Sequence, residues 1–243
     1  MARHEKLNNI SHKNLRVLNR FGADLGDNVG QVLTFPTEYE DVQREYPIFF
    51  RRESVTGEYQ SVALLGLEKD ENLFLNGDRW DAHYIPGVIA RGPFLIGFEE
   101  QEVDGELRKH PVVYVDLDHP RASQTEGTPV FAPQGGNSIY LEQTINVLRG
   151  ITTGLDDSKA MFAAFTDLAL IEPVQVEIKT SPEQAYSLMG LHSINQQRLA
   201  ALDGDQLEKL NKAGFLQGAY LVLASLGNVR KLIAMKQRRR NFA

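Results

Sequence analysis

The chain has 243 residues, 42% of them apolar and 24% charged, with a formal charge of −6. These are ordinary values for a globular protein, long enough to bury roughly three quarters of its unfolded surface. The acidic balance gives no chain-wide nucleic-acid footprint, no run approaches the ~18 apolar residues of a membrane helix, and the absence of cysteine excludes disulfides, thiolate metal ligands and a cysteine nucleophile.

The N-terminal segment is charged and has no apolar h-region, so it does not read as a secretory signal, and a cytoplasmic location is expected. Residues 1–14 are polar and read as extended or frayed. Apolar runs at 15–18 and 29–35 flank the turn-rich FGADLGDN. Thr37 and Glu40 have capping-box spacing, with Glu38 near the positive helix end. A short helix is predicted over 38–45, stopped by Pro47. PIFFRRE and YQSVALLGLE predict a hairpin turning at Val55-Thr56-Gly57-Glu58, and NLFL a strand that stops at the turn dipeptide Asn76-Gly77.

The stretch 71–98, ENLFLNGDRWDAHYIPGVIARGPFLIGF, holds the only tryptophan, Trp80, with Asp81, His83, Tyr84, Pro86, Arg91 and Pro93 close by. A polar, aromatic, proline-fixed loop between two apolar runs is the pattern of a site on a rigid scaffold, and equally of a well-packed corner. Trp80, Tyr84 and Arg91 are the candidate ligand-binding residues. An arginine beside glycine and near aromatic rings can clamp a carboxylate or phosphate, or stack on a ring; the plainer alternative is a buried arginine bonding loop carbonyls.

FLIGFEEQEV and HPVVYVDLD pair naturally across Asp104-Gly105. At the end of the second strand, Asp116, Asp118 and His119 are a carboxylate and imidazole cluster, and Asp116 and Asp118 alternate onto one face. With Asp81 and His83 they form a candidate site for iron, manganese or zinc, which needs at least three converging groups. The alternative is a strand running into a solvated turn before Pro120.

From Gly135 the pattern becomes helical. Leu141, Ile145 and Leu148 make one amphipathic face, and Ser158 is placed to cap a second helix, KAMFAAFTDLAL, with Met161, Phe165, Leu168 and Ala169 on one side. A hairpin over 174–189 turns at Ser181-Pro182. Ser193 and Gln196 repeat the capping-box spacing, and DGDQLEKLNKAG is a helix stopped by Gly214. The last helix, 215–237, carries Leu216, Tyr220, Leu223, Leu226 and Ile233 on one stripe and ends in KQRRR, which complements the helix dipole. No repeat of 20–50 residues is present. The expected fold is α+β: a largely antiparallel β region over 15–135 packed against a helix-rich region over 138–237, with 174–189 returning to the sheet, all in one domain, 1–243.

No G-x-S-x-G elbow is present, Ser11-His12 are adjacent in sequence rather than a positioned pair, and no glycine-rich phosphate loop follows a strand. No cofactor is expected, and the oligomeric state is not legible.

Several segments together resemble the bacterial SapC family: LNNISHKNLRV, FPTEYEDVQREYPIFF, ALLGLEKDENLFLNGDRWDAHYIPGVIARGPF, VVYVDLDH, GTPVFAPQGGNSIYLEQTINVL, FAAFTDLALIEP and the closing GLHSINQQRLAALDGDQLEKLNKAGFLQGAYLVLASLGNVRKL. The resemblance is nearly full length. At Ala90-Arg91-Gly92 the chain departs from it, since a second arginine and an aromatic are expected there. The resemblance implies an accessory or binding protein associated with surface layers or nutrient uptake, with a protein partner or a small ligand. It carries over no catalytic residue. A metal-dependent oxygenase or hydrolase using Asp81, His83, Asp116, Asp118 and His119 is the competing expectation.

Overall fold

The computed structural model describes residues 3–103, 106–181 and 184–242. The chain gathers into two compact units, each built from two stretches: residues up to Asp27 with Gly87–Thr152, and Asn28–Pro86 with the chain from Thr153 onward. Every strand pairing is antiparallel, and the larger helices lie toward the C-terminus. The fold is α+β.

In the first unit, strands Phe94–Val103 and Glu106–Asp116 form the expected hairpin, in register from Phe94↔Val115 to Val103↔Glu106. The Asp104-Gly105 turn lies outside the described residues. His4–Lys6 pairs with the far side of Glu106–Asp116, so of the two readings, extended or frayed, this part of the segment is extended. Its backbone joins the sheet, and His12 turns inward to 5% exposure. The two-residue strand Arg16–Val17 sits between Ala122–Ser123 and Thr128–Pro129. Gly127 makes that approach possible, because a Cβ there would fall 2.2 Å from the Val17 carbonyl oxygen. Phe94, Val115, Val17 and Val130 close on Leu141 and Leu148 as one apolar core, with Ile145 packed against it.

The second unit is organised by a five-stranded sheet in the order Ile171–Ser181, Gln184–Ile194, Ile48–Arg52, Tyr59–Leu64, Gln31–Thr34. The hairpin expected at 174–189 is present and longer, and it joins the sheet through Leu191↔Arg51 and His192↔Phe50. The Asn76-Gly77 turn is also present, with Leu75↔Trp80 and Asn76↔Arg79 paired and Gly77 at φ 63°. The predicted 38–45 helix is replaced by a 3-10 turn, Pro36–Glu38, and one turn of α-helix, Tyr39–Val42, with no side-chain cap. Glu38 points inward at 8% exposure instead of facing the helix end.

A single helix, Ile139–Asp167, takes the place of the two predicted. Ser158 does not cap: its hydroxyl donates to the Gly154 carbonyl over 2.6 Å, the back-bond of a residue inside a helix. The helix stops at Asp167, and Ala169 takes a left-handed φ of 52°, so Leu168 and Ala169 leave the predicted face. Further on, Asn195 rather than Ser193 caps Gln196–Ala200, Asp203 and Gln206 form a full capping box on Gly204–Lys212, and Gly214 has φ 76°.

The predicted last helix is broken into Phe215–Ser225, a 3-10 turn at Leu226–Asn228, and Val229–Phe242. Polar anchors hold the break. Ser225 accepts the Ile48 N–H, and the Asn228 amide donates to the Gln43 and Tyr46 carbonyls. The buried face is Gly218, Ala219, Val222 and Ser225, while Tyr220 is 54% exposed, so the predicted stripe was out of phase. In the cationic end, Arg239 donates to the Leu73 and Leu75 carbonyls.

Candidate functional site

Trp80 lies on the short strand Arg79–Trp80 and is buried to 8% exposure. Its indole N–H donates to the Tyr46 hydroxyl (2.7 Å), which donates in turn to the Tyr84 carbonyl (2.5 Å). The Tyr84 hydroxyl donates to Glu38 Oε2 (2.7 Å), and Thr34 donates to Glu38 Oε1 (2.8 Å). One residue on, the Tyr39 hydroxyl bonds to Ser61. Burial drives the pKa of all three tyrosine hydroxyls well above the ordinary value, and the Glu38 charge pushes each further. They are therefore neutral, as their donor roles require.

Thr34 and Ser61 also line a cleft of about 520 Å³ between the sheet and the Leu155–Asp167 part of the long helix. Its aromatic wall is a continuous ladder. The Arg52 guanidinium lies 4.8 Å from the Tyr59 ring centroid and Tyr59 stacks on Phe162 at 5.8 Å, while behind the wall Phe162 meets the buried Phe50 edge-on at 5.0 Å. Arg52 also donates to the Tyr59 hydroxyl over 3.2 Å. Leu155, itself 47% exposed, and Phe35 continue the apolar lining, and Lys159, Glu58 and Asp167 supply charge. Such a space, apolar with a few placed polar groups, falls in the ~300–1,000 Å³ range of small-molecule sites.

The residues singled out in the sequence are distributed as follows. Trp80 and Tyr84 belong to the hydrogen-bonded network of the second unit. Arg91 belongs to the first unit, where it donates to the Phe94 carbonyl (2.7 Å) and burial lowers its pKa. The metal arrangement is not found: among the described residues no three His, Asp or Glu side chains are grouped to hold an ion. Asp81 and His83 are exposed in the second unit, whereas Asp116, Asp118 and His119 are in the first. There they make a turn. Asp116 Oδ1 accepts the Asp118 N–H (3.0 Å), and His119 Nδ1 accepts the Arg121 N–H (3.1 Å). Burial, reinforced by Arg121, lowers the His119 pKa.

Sequence reasoning missed Glu38, Tyr46 and the whole cleft wall. The usable signal was Arg52 and Tyr59 flanking the predicted turn, which puts them side by side across the hairpin. No local pattern announces Phe162 as their neighbour.

A SapC family model matches residues 7–232. The chain belongs to the SapC family. Neither the curated proteins nor the solved structures contain a match to it. Among the described residues, no helix of this SapC-family chain is long and apolar enough to cross a membrane.

Proposed function

We propose that this SapC-family protein is a cytoplasmic accessory or binding protein, associated with surface-layer or uptake-related processes, that holds a small ligand or a partner segment in the cleft of its second unit. The observation that carries the reading is the Arg52–Tyr59–Phe162 stack along a cleft of about 520 Å³ whose polar lining is fixed from behind. Ready-made apolar space needs no ordering when the ligand arrives. Trp80 and Tyr84 are assigned positioning roles: their polar atoms hold Tyr46 and Glu38, and Glu38 holds Thr34 in the lining. Arg91 is assigned to loop support through Phe94.

The test uses 8-anilinonaphthalene-1-sulfonate, an amphipathic anion. Saturable one-site binding is expected in the wild type, weakened at least tenfold by Ala163→Trp, which fills the cleft, and by Leu155→Glu, which charges its mouth. Unchanged affinity in both variants, each still melting cooperatively, contradicts the reading. Cell fractionation tests the location, and recovery with the envelope contradicts it.

The two units are further proposed to unfold as one domain, since Ile139–Asp167 carries residues of both. A single calorimetric transition is expected, and two resolved transitions overturn this.

A further inference from the structure

The strand Gln31–Thr34 is one edge of the five-stranded sheet in the second unit. Its hydrogen-bonding phase is fixed at its start, where the Leu65 N–H donates to the Gly30 carbonyl over 2.8 Å. In the register that follows, Val32 and Thr34 turn their backbone groups toward Ala63 and Ser61. Those of Gln31 and Leu33 therefore point off the sheet. Among the described residues, these two N–H groups and two carbonyls have no hydrogen-bond partner.

Open edges are ordinarily guarded by charge, proline or a break in register. The opposite edge of the same sheet, Ile171–Ser181, has all three, in Glu172, Pro173, Glu177 and the shift between Val174 and Val176. In the first unit, the edge strands His4–Lys6 and Phe94–Val103 carry Glu5, Lys6, Glu99 and Glu100. Gln31–Thr34 has no charge, no proline and an unbroken register. An edge left in this state is a template for another strand.

Space lies on both faces of it. Thr34 and Ser61, paired across the two strands, line the cleft of about 520 Å³. Gln31 and Leu64, paired in the opposite alternation, line a second depression of about 560 Å³ with Arg51, Lys69 and Asp70. Successive side chains of an added strand point to opposite faces, so one set would enter the cleft and the other the second depression. Sheet edges take up extended peptides in this way, the main chain supplying affinity and the alternate pockets selectivity. The strand of a second copy is a poor occupant, because its Val32 and Thr34 side chains are already held in its own fold at 7% and 1% exposure. A free segment keeps both of its faces available.

We propose, building on the cleft reading, that the partner segment is an extended peptide that adds as a further strand to the Gln31–Thr34 edge. Its apolar side chains turn into the cleft and its polar ones toward Arg51, Lys69 and Asp70.

The full-length protein is titrated with a short capped peptide that alternates threonine with phenylalanine, and with two N-methylated forms. One form is methylated on every threonine nitrogen, the other on every phenylalanine nitrogen. In a strand only one of these two sets of N–H groups faces the edge. Saturable binding of the parent peptide is expected, with at least tenfold loss in one methylated form and a change within about twofold in the other. Gln31→Pro removes an outward N–H at an edge position where proline leaves the ladder intact. It should weaken the peptide at least fivefold while 8-anilinonaphthalene-1-sulfonate binds as in wild type. Absence of saturable peptide binding, equal losses in the two methylated forms, or no effect of folded Gln31→Pro overturns the added strand, and saturable dye binding then leaves the cleft reading standing. Peptide binding with the alternating pattern, but no saturable dye binding, supports the strand and counts against the cleft reading alone.

Discussion

The Trp80 indole donates to the Tyr46 hydroxyl over 2.7 Å, across 34 positions of sequence, and both groups are buried. The crowded stretch around Trp80 is thereby fastened to the residue that ends the Tyr39–Val42 turn region, whose own hydroxyl passes on to the Tyr84 carbonyl. Trp80→Phe removes the donor and also shrinks the buried ring system. The expected loss is about 1–3 kcal/mol, a single hydrogen bond plus the vacated volume. Tyr46→Phe strands both the indole N–H and the Tyr84 carbonyl and should cost more, about 2–4 kcal/mol. Urea unfolding of the two variants gives the comparison.

The same tyrosines set an alkaline limit. Tyr39, Tyr46 and Tyr84 have folded pKa values raised above the ordinary value of about 10. A raised folded pKa contributes stability that is fully present below the unfolded value and is lost as pH rises through the folded one. The melting temperature should therefore fall steeply above about pH 10. Absorbance at the tyrosinate band should show these three hydroxyls ionising only with unfolding.

Gly154 sits inside the long helix, where alanine is ordinarily better by about 1 kcal/mol. A Cβ there would come 2.5 Å from Phe35 Cβ and 2.6 Å from Thr37 Oγ1. Overpacking of that kind costs about 1–3 kcal/mol, so the steric term outweighs propensity and Gly154→Ala should destabilise. Gly150, in the same helix, has open space at its Cβ, and Gly150→Ala should stabilise by up to about 1 kcal/mol. Opposite signs in parallel thermal melts are the expected result.

In the first unit, Arg121 and Asp27 form an ion pair at 2.5 Å with both side chains buried. Asp27 also accepts the Gly22 N–H (2.8 Å), and the guanidinium lies 4.8 Å from the Phe21 ring centroid. Arg121→Ala removes the cation facing a buried carboxylate and should cost about 3–5 kcal/mol. Arg121→Ala with Asp27→Ala should lose less than Arg121→Ala alone, which a double-mutant cycle measures.

Local features of the fold were legible where neighbours in sequence decide the structure. Ile48–Arg52 and Tyr59–Leu64 pair around a turn containing Gly57 (φ 71°), and the Asp203 capping box is complete within four residues. Features decided by distant partners were not. Ser158 looks like a cap until the helix is seen to continue through it, and the phase of the last helices is set by Ser225 and Asn228 bonding residues more than 170 positions away. Glu38 has the position of a helix-dipole partner in sequence, yet Thr34 and Tyr84 draw it inside. The stretch around Trp80 was recognisable as special. Trp80 and Tyr84 fall into the hydrogen-bonded network rather than the cleft lining, because the cleft pairs a hairpin at 52–61 with a helix a hundred residues later.

The central claim is that Phe162 and its neighbours meet the ligand while Trp80 only holds the lining in place. Titration of 8-anilinonaphthalene-1-sulfonate into Trp80→Phe and Ala163→Trp, both checked for cooperative melting, separates the two roles. The account predicts that Trp80→Phe melts lower yet binds within about twofold of wild type, and that Ala163→Trp loses at least tenfold in affinity. Loss of binding in folded Trp80→Phe, with Ala163→Trp binding normally, would contradict it.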